Sequence, residues 1–165
     1  METTARESVE ELEGKYLTFI LAEEEYGLEI TKVIEIIGMM SFNALPQTPD
    51  FVKGVINLRG KVIPILDLRL KFDMLEAEHT EKTCIIVVEI KQDEEKVQMG
   101  IIVDSVSEVL NVTSDDLEET PKFGVTLNTD FILAMAKGKG IVRTLLDIDG
   151  VLSSSEVDML AANVA

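Results

Sequence analysis

Three aspartates stand where a chain could place catalytic carboxylates: Asp67, Asp104 and Asp147 each end or follow an apolar segment. Carboxylates at strand ends form the phosphoacceptor pocket of receiver domains, and paired carboxylates hydrolyse glycosides. A receiver needs alternating strands and helices, however, and a glycosidase usually needs a larger scaffold to hold a sugar between its acids. We therefore predict that the three aspartates are structural, and that they accept hydrogen bonds from loop amides or pair with Arg69 or Arg143.

Histidine and cysteine each occur once, as His79 and Cys84. A catalytic Cys–His pair would have to consist of these two residues, and a metal centre of the usual types needs more ligands at a regular spacing. Cys84 lies in the apolar run 83–88, which predicts a buried thiol, no internal disulfide and a reducing compartment. His79 lies in a polar segment and is expected in solvent. The sequence thus indicates a protein that is not an enzyme and that uses no metal and no cofactor.

The charge balance argues against a further class of function. Fifteen lysines and arginines stand against 31 aspartates and glutamates in the 165 residues, so the formal net charge is −16. Such a surface repels nucleic-acid backbones and anionic membranes. No apolar run reaches the ~18 residues that a membrane span needs, and no apolar leader opens the chain. We expect a soluble, cytoplasmic protein without direct membrane insertion, and a flexible acidic tail over residues 1–14.

Short segments rich in β-branched residues and bounded by turn signals dominate the rest of the chain. Residues 39–49 contain two prolines and are predicted to be irregular. Pro64 predicts an edge position or a bulge for its strand, because proline cannot donate a ladder hydrogen bond. The predicted strand pairs are 16–21 with 26–30, 55–58 with 62–66, 83–90 with 97–110, and 131–136 with 141–148.

Helix signals are few and short. Thr31 is expected to cap a helical turn that carries Val33, Ile34 and Ile37 on one side. The other signals are a capped turn over residues 113–118 and a capping box of Ser153 and Glu156, which begins a C-terminal helix over residues 153–165. The fold class is therefore all-β with a few short helices.

The chain contains one internal repeat. Displacing residues 54–72 by 80 positions lays them on residues 134–152 without a gap, and a turn glycine, the strand pattern and a Leu-Asp ending agree. The match predicts two like hairpins in two like subdomains, roughly residues 15–82 and 83–152, and it leaves open an exchange of strands between them. Many short strands with little helix are typical of small closed barrels rather than of a parallel sheet with crossover helices.

Two loops carry apolar residues where polar ones are usual: residues 41–45 with Phe42, and residues 122–125 with Phe123. Each loop either folds back and plugs the end of a barrel or presents an anchor for another protein. Arg59, at the tip of the first repeated hairpin, is likewise either a solvated turn residue or a charged anchor beside an apolar groove. Composition alone leaves these alternatives open.

One long motif resembles a known family. Residues 51–60, Phe-Val-Lys-Gly-Val-Ile-Asn-Leu-Arg-Gly, and residues 62–69, Val-Ile-Pro-Ile-Leu-Asp-Leu-Arg, are similar to the signature of CheW-like domains. Further agreement lies at residues 26–30, 33, 35–36, 103–106 and 146–148, so the resemblance covers roughly residues 15–152. It implies two five-stranded SH3-like barrels packed together with a groove between them, which agrees with the repeated hairpin.

The resemblance also implies partners. Proteins with this domain work by contact: they bind the cytoplasmic tip of a chemoreceptor and the regulatory domain of the histidine kinase CheA, link both into membrane-associated arrays, and are expected to be monomeric when free. The receptor-binding groove implied by position contains Val33, Gly54, Arg59 and Ala134. The kinase-binding residues implied by position are Ile36, Phe42 and Phe123.

Two departures from the family pattern bear on these sites. The family commonly has glycine where this chain has Ala134, and the added methyl group is expected to narrow the groove. Glu118 and Glu119 lie where some relatives are basic, near the expected contact of Phe123.

The same domain also occurs within CheA and, fused to a receiver, in CheV-type proteins. The chain begins at Met1 and leaves only a short tail after Leu152, without room for a receiver or an ATP-binding domain, so we expect a stand-alone adaptor. The alternatives are an excised regulatory domain of a CheA or CheV-type protein and a small-ligand-binding β-barrel.

Overall fold

A computed structural model describes residues 12–92, 95–118, 131–138 and 140–151. Its strands are β1 (Gly14–Leu21), β2 (Glu24–Glu29), β3 (Val33–Gly38), β4 (Val52–Leu58), β5 (Lys61–Asp67), β6 (Cys84–Gln92), β7 (Glu95–Val103), β8 (Ser105–Val112), β9 (Leu117–Glu118), β10 (Ile132–Gly138) and β11 (Ile141–Leu146). Two single-turn α-helices, α1 (Leu68–Lys71) and α2 (Ile148–Val151), follow β5 and β11. Within these ranges no helix is long and apolar enough to cross a membrane.

The strands form two sheets, which confirms the predicted all-β fold. The β1 sheet has six strands in the order β8-β1-β2-β11-β10-β9, and the β3 sheet has five in the order β3-β6-β7-β5-β4. Each sheet combines strands from both predicted subdomains, since β1 and β2 join β10 and β11, and β6 and β7 join β3 to β5. Parallel pairs β5 with β7 and β11 with β2 sit inside sheets that are otherwise antiparallel.

The predicted repeat is confirmed in detail. β4-β5-α1 and β10-β11-α2 are equivalent units, and each first strand has a register shift at the same place, between Val52 and Gly54 and between Ile132 and Ala134. The backbone N–H groups of Asp67 and Asp147 donate to the carbonyls of Phe51 and Phe131, at 2.8 Å in both units. The 80-residue displacement therefore relates equivalent positions in three dimensions.

The helical turn predicted after Thr31 is wrong in its position. A 3-10 turn occupies Ile30–Lys32 without a side-chain cap, and Val33 already has extended backbone. Residues Val33–Gly38 form β3, which pairs with β6. The reason is the run of valine and isoleucine, because branched side chains lose rotamer freedom in a helix and pack well on a pleated surface. The capped turn predicted at 113–118 is confirmed as a 3-10 turn over Ser114–Asp116, with a capping box of Thr113 and Asp116.

Two further expectations about strands are corrected. The predicted strand 97–110 is broken at Asp104 into β7 and β8, which belong to different sheets. Pro64 lies on an inner strand rather than an edge strand. The missing N–H of Pro64 breaks no hydrogen bond of the sheet. On one side, pairing with β7 begins only at Ile65. On the other side, the β4 residue opposite Pro64 is Val55, whose backbone exchanges hydrogen bonds with Asn43.

Three apolar clusters fill the part of the fold that the structure describes. The largest lies between the sheets and takes side chains from both, including the equivalent Leu66 and Leu146, which are fully buried. A second fills the β3 sheet around Ile56, Ile63 and Ile65, and a third, smaller one fills the β1 sheet around Tyr16. Cys84 is only half-buried at the start of β6, and burial raises the pKa of its thiol. The predicted tail up to residue 11, the C-terminal helix, Phe123 and Glu119 lie outside the described residues.

Candidate functional site

Arg59 lies at the tip of the β4–β5 hairpin, in a two-residue turn with Gly60. Both residues have positive φ angles, 54° and 83°, as a type I′ turn requires. The Asn57 side-chain oxygen accepts a hydrogen bond from the Gly60 N–H at 2.8 Å, which stabilises the turn. The sequence Asn-Leu-Arg-Gly therefore fixes where the guanidinium group leaves the barrel, and the side chain of Arg59 keeps 71% of its surface exposed.

The guanidinium of Arg59 binds Glu35 on β3 in a two-pronged contact. Arg59 Nη2 donates to Glu35 Oε2 at 2.7 Å, and Nη1 donates to Oε1. The hydrogen bond from Arg59 holds the pKa of Glu35 below its ordinary value, and the same bond raises the pKa of Arg59. Because β3 and β4 are the two edges of their sheet, this pair joins the edges and closes the barrel at that end.

The two faces of β3 differ in their surroundings. Val33 and Ile37 point inward and pack against the inter-sheet cluster and the β3-sheet cluster. Ile34 and Ile36 point outward and remain 43% and 44% exposed. An edge strand with two outward isoleucines, and with an exposed arginine bound to the glutamate between them in the sequence, has the composition of a protein-binding patch. We call Ile34, Ile36 and Arg59 the β3 patch.

Gly54 is buried under the loop of residues 39–49. Its φ of +151° is unusual for a residue with a side chain, and a Cβ atom there would lie 2.2 Å from the Asn43 carbonyl oxygen. The loop is fixed at this point, because Asn43 and Val55 exchange two backbone hydrogen bonds of 2.9 and 2.8 Å. Phe42, the residue before, is half-buried and packs against the β3-sheet cluster. For Phe42 the structure thus favours the barrel plug over the fully exposed anchor.

Replacing Gly54 by alanine is expected to destabilise the protein. The new methyl group would overlap backbone atoms of Asn43 and would sit at a φ that alanine rarely adopts, so we expect the free energy of unfolding to fall by roughly 2 kcal/mol. Urea unfolding of G54A measures the loss. Gly38→Ala is the matched control, since a Cβ there has no atom within 4 Å. Equal effects of the two substitutions would show that the contact with Asn43 is unimportant.

Ala134 occupies the position equivalent to Gly54 but has different surroundings. Its side chain is 1% exposed and belongs to the β1-sheet cluster, with Tyr16 and Leu145. The methyl group that distinguishes this chain from the usual pattern is therefore accommodated in a core, and it does not project from the described surface.

The three aspartates have the structural roles predicted for them. Asp67 and Asp147 accept hydrogen bonds from the N–H groups two residues later, at 2.9 and 3.1 Å, and burial raises the pKa of both carboxyl groups. Asp104 pairs with Arg69 instead, and the hydrogen bonds from Arg69 lower its pKa. No group of His, Cys, Asp and Glu in the described ranges could hold a metal ion.

Ile34 of the β3 patch and Glu35, which binds Arg59, were not singled out by the sequence. Glu35 belongs to the residues that resemble the family, but its partner Arg59 lies 24 residues further along the chain. The sequence predicted Ile34 on the same side of a helical turn as Val33 and Ile37. Reading residues 33–38 with a two-residue period would have placed Ile34 and Ile36 on one outward face.

Comparison with known proteins extends the likeness to nearly the whole chain. The CheW-like domain family model matches residues 15–156. The "Chemotaxis protein CheW" of Klebsiella aerogenes is 39% identical over 163 residues, which are 99% of this chain and 95% of that protein. The "Probable chemotaxis protein CheW" of Rhizobium etli is 33% identical, over 92% of this chain and 96% of that protein. The crystal structure of the scaffolding protein TtCheW from Thermoanaerobacter tengcongensis superposes with a TM-score of 0.76 at 33% identity, covering 88% of this chain and 96% of that one.

Proposed function

The chain belongs to the CheW-like domain family, and from this premise we propose that it is a non-enzymatic adaptor of bacterial chemotaxis, which couples chemoreceptors to the histidine kinase CheA. Its relatives are named as chemotaxis proteins, and the solved neighbour is named as a scaffolding protein. The adaptor works in the cytoplasm and is recruited to receptor arrays at the membrane, whose assembly it supports.

The observation that carries the proposal is the β3 patch. Ile34 and Ile36 keep more than two fifths of their surface exposed, and Arg59 is bound to Glu35, which lies between them in the sequence of β3. Interfaces of moderate size commonly combine apolar anchors with arginine. Such a patch is suited to binding another protein, and nothing about it requires a reaction.

Within this patch we assign different partners to its two sides. Ile36 is the exposed apolar anchor and is assigned to the kinase, together with Phe42 and Phe123 by position. Arg59 is assigned to the receptor tip, together with Val33 by position, although Val33 packs against the inter-sheet cluster. Gly54 contributes by allowing loop 39–49 to approach β4, and Ala134 contributes from the equivalent position of the second unit.

The mechanism proposed is geometric. The adaptor holds the receptor tip and the kinase at a fixed distance and orientation, so that movement of the receptor changes the balance between active and inactive kinase. The two clusters inside the barrels and the one between them make the described part of the molecule a rigid spacer.

A reconstitution assay tests the proposal. The purified protein is mixed with CheA and a receptor signalling fragment, and autophosphorylation of CheA is followed with and without it. We expect receptor-dependent stimulation only when the protein is present. Ile36→Ser should weaken binding to CheA by about tenfold or more, because it removes an apolar anchor. Leu75→Ser, at an 87% exposed site outside the patch, is the matched control. Binding to CheA without stimulation, or binding to neither partner, would contradict the coupling role.

A further inference from the structure

Equivalent positions on β5 and β11 carry residues of opposite character. Ile63 is 2% exposed and packs in the apolar cluster of the β3 sheet. The equivalent residue, displaced by 80 positions, is Arg143, which is equally buried at 3% exposed. A buried charge is costly unless it is paired and hydrogen-bonded. The chain itself thus shows that the fold can fill this place with an aliphatic side chain, and that the second unit does not.

Within the described part of the chain, the side chain of Arg143 donates two hydrogen bonds, and both are long. Its Nε donates to Glu25 Oε1 at 3.3 Å, and its Nη1 donates to the Gly138 carbonyl at 3.5 Å. Nη2 has no acceptor within the ranges that the structure describes. A guanidinium group carries five N–H donors, and buried donors without a partner are uncommon in folded proteins. Among the described residues, the Nη2 donors of this buried guanidinium therefore have no hydrogen-bond partner.

Arg143 borders a cavity of about 150 Å³ between β8, β10 and β11. Its apolar walls are Leu110, Val112 and Ala136. Ala136 is equivalent to Ile56, so the second unit has both a smaller side chain and a charged one where the first has two isoleucines. The space is thus produced by two specific residues rather than by loose packing of the whole barrel.

The charges around the cavity limit the ligand that it fits. Glu25 already balances part of the Arg143 charge, and Lys137 is paired with Glu118 at 2.5 Å. Asp116, also on the wall, accepts from Thr113. Since the chain has a net charge of −16, a dianion such as phosphate is disfavoured. A ligand with one planar anionic group on a short apolar stem fits better: the anionic group matches the edge of the guanidinium, and the stem matches the aliphatic walls.

We propose that this cavity binds a small aliphatic carboxylate. The carboxylate accepts hydrogen bonds from the Nη groups of Arg143, and the stem packs against Leu110, Val112 and Ala136. Because each molecule of liquid water occupies about 30 Å³, the cavity has room for about five waters, or for an acid of a few carbon atoms.

Propionate is the probe that tests the site. Titration of the full-length protein, followed by the ¹⁵N-edited NMR signals of the Arg143 Nε–H and of the Gly138 and Val112 amides, should give saturable shifts. Propionamide at the same concentration and sodium chloride at the same ionic strength should give none. Ala136→Ile, which copies the first unit and keeps Arg143 and Glu25, should weaken binding at least roughly tenfold. Val142→Ala, at an exposed position of the same strand, should leave binding unchanged.

Several outcomes would overturn the proposal. They are shifts that do not saturate, equal shifts with propionamide, unchanged affinity in A136I, or tighter binding of N-acetylglutamate amide, which would identify a protein side chain as the ligand. If A136I does not fold, Arg143→Lys serves in its place, since it keeps the charge and removes the planar donor edge. Unchanged propionate affinity in R143K would also count against the site.

Discussion

Arg59→Glu is expected to abolish receptor-dependent stimulation of CheA while the protein remains folded. The side chain is 71% exposed at the tip of a hairpin, so the substitution removes no buried contact. It reverses a charge at the centre of the proposed receptor contact and places a carboxylate opposite Glu35. Reversal of a central interface charge commonly costs a factor of about 100 in affinity. Kinase activity in the reconstituted complex and direct binding of the receptor fragment measure the effect.

The pairing partner offers a control that separates contact from stability. The double variant Glu35→Arg, Arg59→Glu restores an ion pair between β3 and the hairpin. Position 59, which is proposed to contact the receptor, still carries a negative charge instead of a positive one. If Arg59 acts by touching the receptor, the double variant stays inactive, although hydrogen exchange shows the same protection as in the parent. Recovery of stimulation in the double variant would mean that Arg59 matters only for closing the barrel.

The parts of the fold that could be predicted from sequence are those in which local signals agree. In the β4–β5 and β10–β11 hairpins, strand composition, turn glycines and the 80-residue repeat all point to the same structure, and both hairpins are present. Residues Val33–Gly38 were ambiguous, because a short apolar run after a threonine fits a helical turn as well as a strand. Pairing with β6 decides in favour of the strand, and that partner is some fifty residues away in the chain.

The candidate site was less accessible to sequence reasoning than the fold. Motif position singled out Arg59 and Ile36 together with Gly54 and Ala134, but it did not distinguish exposed residues from buried ones. Gly54 and Ala134 lie at equivalent positions, and both are buried, one beneath a loop and the other in a core. The charge pair of Arg59 and Glu35 depends on closure of the barrel, which no local pattern encodes.

The two sheets are joined by a pair of ionic contacts at equivalent positions. Arg69, two residues after Asp67, binds Asp104 through Nε at 2.8 Å and Nη2 at 2.5 Å. Asp149, two residues after Asp147, binds Lys32 Nζ at 2.7 Å and the Lys91 N–H at 2.9 Å. The two contacts thus occupy equivalent positions, but the residue of the repeat is basic in the first unit and acidic in the second. The first contact links α1 to the β7–β8 junction, and the second links α2 to the β2–β3 junction. At both junctions the chain passes from one sheet to the other.

Asp104 is the residue on which the first of these contacts depends. Besides Arg69 it accepts the N–H of Ala22, in the β1–β2 turn, at 2.9 Å, and its own N–H donates to the Ile20 carbonyl. The carboxylate therefore connects α1, the β7–β8 junction and the β1–β2 turn. These contacts lie at the point where the predicted strand 97–110 changes sheet. Loss of its charge would leave Arg69, whose side chain is mostly covered, without its ionic partner.

Asp104→Asn is accordingly expected to lower the free energy of unfolding at neutral pH by about 2 to 3 kcal/mol, since the carboxylate keeps some solvent contact. Because the folded pKa of Asp104 lies below its ordinary value of 3.8, its contribution is present above that value and is lost as the pH falls through the folded pKa. Asp67 and Asp147 have raised pKa values, so they change the stability with pH in the opposite direction. Their effect is the same in D104N and in the parent, and it cancels when the two stabilities are compared. Urea unfolding from pH 7 to pH 3 should therefore show the stabilities of D104N and the parent converging at the acid end.

Asp50→Asn, at an exposed site, is the control, and its free energy of unfolding should follow that of the parent at every pH. A constant difference between D104N and the parent down to pH 3 would mean that the asparagine fails for reasons of packing rather than of charge.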